Sequence, residues 1–300
     1  MDAKSNSNKK KFFKINVEIS NICNLQCSFC PEVLRPKQMM TLDLFKKIIP
    51  QIAPLTELIC FHLMGDPLVH PNLSEFISLC EEHKVKIFFV TNGVLLKPEH
   101  KNILTQKIFH QVNFSLHSFF DNHPGKDPST YLNKIFTWTD FALQNNPDLY
   151  INYRLWNLQD TRGQATENQK MLEAIQDKFS IKIDPTHINL KKNKSFPIQG
   201  RLYLHFDSEF TWPSLDLPVL GNVGTCYGLK NHFGILADGT VVPCCLDKEG
   251  AIPLGNMTTN SLTAILNSEK TLRIIDGFNK HVLHEELCQK CQYIDRFGRI

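Results

Sequence analysis

No run of about eighteen apolar residues occurs in the 300-residue chain, which leaves no candidate for a membrane-spanning helix. The first residues, Met1 to Lys11, are polar and lysine-rich and lack the apolar stretch of an export signal, so they read as a disordered leader. Neither sign of charge dominates. A net charge of +3 is too small to imply nucleic acid as a partner. The clusters Lys9-Lys10-Lys11 and Lys191-Lys192-Asn193-Lys194 read as solvated loop charge. Internal repeats and long low-complexity segments are also missing, and an apolar share of 42% is that of an ordinary globular protein. What the chain does have is cysteine. Ten of them, with no export signal, point to metal chemistry in a reducing cytoplasm rather than to a disulfide framework.

Three of the ten sit in Ile19-Ser20-Asn21-Ile22-Cys23-Asn24-Leu25-Gln26-Cys27-Ser28-Phe29-Cys30-Pro31, spaced C-x3-C-x2-C. Thiols this close can converge on one small object. A cubane iron–sulfur cluster normally takes four cysteine thiolates. Three leave one iron without a protein ligand, and an open metal position is where a substrate can bind and react. Zinc with a histidine as fourth ligand is the competing reading, although zinc sites favour C-x2-C pairs and no histidine follows at finger spacing.

Elsewhere the pattern alternates between strands and helices. Phe12–Ile19, Glu57–Met64, Val85–Val90, Gln111–Leu116, Leu149–Leu155 and Arg201–Phe206 read as strands. Met39–Ile52 (capped by Thr41), Asn72–His83, Pro98–Phe109, Pro128–Asn145 and Thr166–Phe179 read as helices. Such alternation predicts an α/β fold with a parallel sheet, in which reactive groups gather where the strands end. The cysteine loop, Gly65-Asp66-Pro67, Thr91-Asn92-Gly93 and Ser115–Ser118 all fall there. The pattern breaks between Thr211 and Gly224. Beyond it, Ala237-Asp238-Gly239 between short apolar runs predicts a hairpin, and Ser261–Asn267 opens a helix.

The cysteine spacing, the flanking Ser20-Asn21 and Asn24, and the aromatic Phe29 resemble the radical S-adenosylmethionine (SAM) superfamily. The resemblance implies a partial (β/α)6 TIM-like barrel. It also implies a [4Fe–4S] cluster on Cys23, Cys27 and Cys30, with the amino and carboxylate groups of SAM on the open iron. An electron from the cluster then splits SAM into methionine and a 5′-deoxyadenosyl radical. Phe29 corresponds to a position against the adenine, and Gly65-Asp66-Pro67 to a Gly-Glu-Pro segment whose backbone receives the SAM ammonium. Here Met64 replaces a preceding glycine and Asp66 the glutamate. Ser115 matches a position that bonds the SAM ribose or carboxylate. Arg154 is a candidate partner for the SAM carboxylate or for the substrate. His117 reads as a hydrogen-bonded structural histidine and Asn92 as support for its turn.

A second constellation comprises Cys226, Cys244, Cys288 and Cys291, the last two a C-x2-C pair. It resembles the Twitch domain, a short form of the SPASM domain, and implies one auxiliary [4Fe–4S] cluster closed by four thiolates. Zinc on the same four is the alternative. Cys245 reads as a spare on the opposite strand face, and Cys60 and Cys80 as core. The expected division is a leader (1–11), a radical SAM core (12–210), a linker (211–225) and a cluster-binding domain (226–300). The expected activity is hydrogen-atom abstraction from an unidentified substrate. The absence of an N-terminal peptide-recognition domain, and of a Gly-Gly ending, tilts this toward small-molecule oxidation. Peptide or protein modification, or a non-catalytic redox-sensing protein, are the other readings. Expected partners are a reducing donor such as flavodoxin or ferredoxin and the substrate itself.

Overall fold

The computed structural model describes residues 11–158, 166–184, 190, 194–209 and 211–297. Most of the expected leader, the Lys191-Lys192-Asn193 cluster and the terminal Gly298-Arg299-Ile300 lie outside these.

The first half of the chain alternates strand and helix. In order come β1 (Ile15–Val17), α1 (Leu42–Ile52), β2 (Leu58–Cys60), α2 (Leu73–Glu82), β3 (Lys86–Thr91), α3 (His100–Ile103) and β4 (Phe109–Ser115). Then follow α4 (Ser118–Asn122), α5 (Ser129–Asn145), β5 (Tyr150–Leu155), α6 (Thr166–Phe179), β6 (Ser195–Gln199) and β7 (Leu202–Phe206). The C-terminal part holds β8 (Gly234–Ile235), β9 (Thr240–Val242), β10 (Gly255–Asn256), α7 (Leu262–Leu266), α8 (Glu269–Asn279) and α9 (Glu286–Gln289).

All ten strands form one sheet in the order β10-β9-β8-β1-β2-β3-β4-β5-β7-β6. β1, β2, β3, β4, β5 and β7 are parallel neighbours, joined through helices, and give the six-unit partial barrel. It is open: among the described residues β6 and β10 stand at the two edges, each paired on one side only. The first strand of the C-terminal hairpin, β8, runs parallel to β1 with Asn16 opposite Gly234, so the cluster-binding segment extends the barrel's own sheet.

A strand turns alternate residues to opposite faces. Ile15, Val17, Ile59, Ile87 and Phe89 are buried in the core, with Phe45, Ile49, Phe76 and Ile77 of the helices. Their neighbours Asn16, Cys60, Phe88 and Val90 line the interior cavity. α1 begins where Thr41 accepts a hydrogen bond from the Leu44 amide at 3.2 Å, and its apolar stripe is buried.

Some boundaries differ from those the pattern suggested. The expected helix Pro98–Phe109 is helical only at His100–Ile103, because Phe109 already pairs with Ile87 at the start of β4. β6 carries Pro197, which suits an edge strand. α4 and α8 are additional elements.

Candidate active site

The cysteine loop leaves β1 and is closed at its base by Asn21. Its Nδ2 donates to the Pro36 carbonyl at 2.8 Å, and its Oδ1 accepts from the Gln38 amide at 2.7 Å. Gly65, after β2, presses on the same loop. It has φ +74°, and a Cβ there would lie 2.4 Å from the Ser20 carbonyl oxygen and 2.7 Å from that of Ile22. Glycine is therefore required both for its backbone and for the close approach. The Asp66 amide donates to the Ile22 carbonyl at 3.0 Å. Its buried carboxylate accepts from the Leu68 amide (2.9 Å), the Thr91 hydroxyl (2.9 Å) and the Asn92 amide (2.7 Å). Asp66 thus ties the end of β2 to the end of β3. Pro67 starts the short 3-10 turn Pro67–Val69.

Two residues of α4 grip the far side of the loop. Asp121 accepts from the Ser28 amide (2.5 Å) and hydroxyl (2.6 Å), and Asn122 accepts from the Gln26 amide at 2.8 Å. The Asn122 Nδ2 also donates to the Cys27 sulfur at 3.1 Å, and Asn92 Nδ2 lies 3.6 Å from the Cys23 sulfur. The Cys30 thiol donates to Cys27, which lowers the Cys27 pKa and raises that of Cys30. Burial raises that of Cys23. These sulfurs therefore converge, and side-chain amides are ready to stabilise thiolates there.

Cys23, Cys27, Phe29, Cys30, Gly65, Asp66, Ser115 and Arg154 all line one cavity of about 420 Å³. Of the residues singled out for the SAM pocket, only Pro67 does not line it. The Phe29 ring packs 4.7 Å from that of His117, whose Nδ1 is 3.1 Å from the Arg154 carbonyl oxygen. Burial lowers the His117 pKa to about 4, so the imidazole is neutral. Arg154 reaches inward: its guanidinium lies 5.7 Å from the Phe88 ring centroid and 4.3 Å from that of Trp156.

The same cavity is lined by Cys226, Cys244, Cys288 and Cys291. Gly228 draws the first two together, since a Cβ there would lie 3.6 Å from both the Cys226 sulfur and the Cys244 Cβ. Burial holds all four thiols above the ordinary range, Cys291 at about 11; Cys244, Cys288 and Cys291 are raised further by others of the set, and Cys226 by Cys245. Among the described residues no three His, Cys, Asp or Glu side chains are arranged to hold a single metal ion. Thiols that face a common space match the ligands of a multi-iron cluster, which takes one thiolate per metal.

Two cysteines outside both sets also face the cavity. β9 ends at Val242, so strand alternation no longer governs Cys244 and Cys245, and Cys245 also lines the cavity. Cys60 is buried as expected but is likewise part of the cavity wall, whereas Cys80 is core. Asp121 and Asn122 escaped the sequence reading because a five-residue helix shows no periodicity. The only signal was their place after the fourth strand.

Residues 17–140 match the radical SAM superfamily model, and residues 226–292 match that of an iron–sulfur cluster-binding domain, SPASM. All three loop cysteines fall in the first match and all four of the second set in the other. The S-adenosyl-L-methionine-dependent 2-deoxy-scyllo-inosamine dehydrogenase of Niallia circulans is 32% identical over 104 residues, 32% of this chain and 42% of that protein. The antilisterial bacteriocin subtilosin biosynthesis protein AlbA of Bacillus subtilis is 30% identical over 124 residues, 38% of this chain and 28% of that one. The chain thus spans less than half the length of these curated relatives. The crystal structure of BtrN in complex with AdoMet and 2-DOIA shares the fold, with TM-score 0.58, 15% identity and 94% coverage of both chains. The two domain types imply [4Fe–4S] clusters and SAM as cofactors. The chain carries a radical SAM domain over residues 17–140 and, after its barrel, an iron–sulfur cluster-binding domain over residues 226–292.

Proposed function

We propose that this protein is an enzyme that cleaves SAM reductively and abstracts a hydrogen atom from a substrate carbon held in the barrel. The observation that carries this is the single cavity of about 420 Å³ onto which both cysteine sets open. When bound, the first cluster supplies one electron, and SAM yields methionine and a 5′-deoxyadenosyl radical that takes the hydrogen.

In this reading Cys23, Cys27 and Cys30 hold that cluster. Asn122 and Asn92 donate to its sulfur ligands, and Asp121 fixes the loop that presents them. Gly65 brings the backbone close enough to receive the SAM amino group, with Pro67 setting the turn that follows. Phe29, propped by His117, offers a face for adenine, and Ser115 a hydroxyl. Asp66 acts through the turn it anchors. Cys226, Cys244, Cys288 and Cys291 hold an auxiliary [4Fe–4S] cluster for electron transfer or support. The domain division keeps the core within 12–210, the linker at 211–225 and the cluster-binding domain from 226 onward. A low-potential donor such as flavodoxin or ferredoxin supplies the electron, and ten cysteines without a disulfide among them suit a reducing cytoplasm.

The substrate is a small molecule, since it shares one cavity of about 420 Å³ with SAM and with both cysteine sets. The dehydrogenase relative is named for such a substrate. A peptide substrate is the second reading, favoured by the likeness to a protein of bacteriocin biosynthesis. The test is anaerobic reconstitution followed by incubation with SAM and dithionite. Deoxyadenosine should form, and deuterium should enter it from a labelled substrate. Cluster loading without SAM cleavage would instead mark a redox-sensing protein.

A further inference from the structure

Two cations line the cavity, and among the described residues neither makes an ion pair. Lys14, just before β1, places its ammonium 5.4 Å from the Phe88 ring centroid, and the Arg154 guanidinium lies 5.7 Å from the same centroid. Arg154 is also stacked 4.3 Å from the Trp156 ring. That indole is fixed in turn by a 2.9 Å hydrogen bond from its Nε1 to His205 Nδ1.

Among the described residues neither cation has a carboxylate partner. Three carboxylates line the same cavity: Asp66 is taken up by Thr91 and Asn92, Asp207 pairs with Lys194 at 2.8 Å, and Glu209 is largely solvent-exposed and pairs with neither cation. The nearby thiol of Cys60, pushed to about 11 by burial, stays protonated and neutralises nothing. His62 lines the same wall, and among the described residues its buried Nδ1 has no hydrogen-bond partner. Enclosed charge is costly unless paired, so two cations and an orphan nitrogen on one wall are a site awaiting an anion.

We propose that Lys14 and Arg154, with His62 beside them, seat an oxyanion of the substrate, a carboxylate or a phosphate. Naming the occupant as substrate rests on the proposed function; the anion seat does not. Phe88 stands three residues before Thr91, about 10 Å down β3 from the turn that Asp66 anchors. The seat is therefore set back from the cysteine loop, where the SAM amino acid is expected. Trp212, Pro213, Tyr293 and Ile294 also line the cavity and provide apolar surface. The substrate class is then a small molecule with an anionic head and an apolar or sugar-like body.

The test uses the full chain, anaerobically reconstituted and loaded with SAM, titrated calorimetrically with inorganic phosphate, with succinate and with neutral succinamide. Either anion should bind saturably at one site and succinamide should not. The better of the two anions identifies the head group. Arg154→Gln and Lys14→Gln should each weaken that binding about tenfold or more, with Arg154→Lys retaining more of it than Arg154→Gln. Cluster absorbance and circular dichroism report whether each variant is folded. If Arg154→Gln is not, Lys14→Gln and Arg154→Lys still decide. Absence of binding by both anions, or variants that bind as the wild type does, would overturn the proposal. So would mutual exclusion of anion and SAM, which would assign the cations to the SAM carboxylate. Deoxyadenosine formation by the wild type is read separately: anion binding without SAM cleavage removes the radical reading and keeps the seat, and the converse result does the opposite.

Discussion

Single residues decide how the cysteine loop is presented, and Gly65 and Asn122 do so in different ways. At Gly65, alanine would combine a left-handed backbone with a Cβ 2.4 Å from the Ser20 carbonyl oxygen. The backbone alone costs about 1–2 kcal/mol. The clash forces the loop away, so Gly65→Ala should lower stability by about 2 kcal/mol or more and weaken SAM binding. Denaturant melts and SAM titration measure both. At Asn122, the side-chain amide donates to the Cys27 sulfur at 3.1 Å while its oxygen holds the Gln26 amide. Hydrogen bonds to cluster sulfurs stabilise the reduced state. Asn122→Ala should therefore shift the reduction potential of the first cluster to a more negative value. A redox titration followed by electron paramagnetic resonance reads the shift, and an unchanged potential would count against the contact.

At the scale of elements, β1 is the joint between the barrel and the C-terminal hairpin, and Glu18 is its fastening. The Glu18 carboxylate is fully buried and accepts from Arg35 of the cysteine loop at 2.5 Å, from the Met64 amide at 3.2 Å and from the Ala237 amide of the hairpin at 3.1 Å. Arg35 in turn donates to the Lys248 carbonyl, and Glu249 accepts from the Leu34 and Arg35 amides. Loop, barrel and hairpin share one polar knot. Removing one partner of a buried ion pair costs about 3–5 kcal/mol. Glu18→Ala should lose that much in a chemical melt and should loosen both cysteine sets together, read as lower iron content per chain.

How much of this the sequence disclosed depends on the element. α6 occupies Thr166–Phe179 as the periodicity predicts, and Thr41 caps α1 where a hydroxyl was expected. Both are local signals. The Glu18 knot joins residues more than two hundred positions apart, and no local pattern marks a glutamate inside an apolar strand as its centre. The three-cysteine spacing is a local signature and was legible for the same reason. That Cys245 and Cys60 share the cavity was not, because it depends on where a strand ends and on how the sheet curves.

For the whole molecule, four histidines, His62, His117, His205 and His232, are each brought to about 4 by burial as the largest cause. Their unfolded value is about 6.5. A depressed folded pKa means neutral imidazoles whose contribution is full above about pH 6.5 and is lost as pH falls toward 4. Each proton taken up on unfolding lowers stability by about 1.4 kcal/mol per pH unit in that window. Chemical melts between pH 7 and pH 5 should show the loss, and replacing His205 and His232 with glutamine should flatten it.

The central claim is that seven thiolates facing one cavity carry two clusters, only the first of which meets SAM. The most direct measurement is iron content with electron paramagnetic resonance on protein reconstituted without oxygen, with and without SAM, for the wild type and for the triple variant Cys23→Ala/Cys27→Ala/Cys30→Ala. The account predicts about eight irons in the wild type and about four in the variant, with a signal that SAM alters in the wild type alone. Zinc at both sites, or a triple variant with full iron content and an unchanged response to SAM, would contradict it.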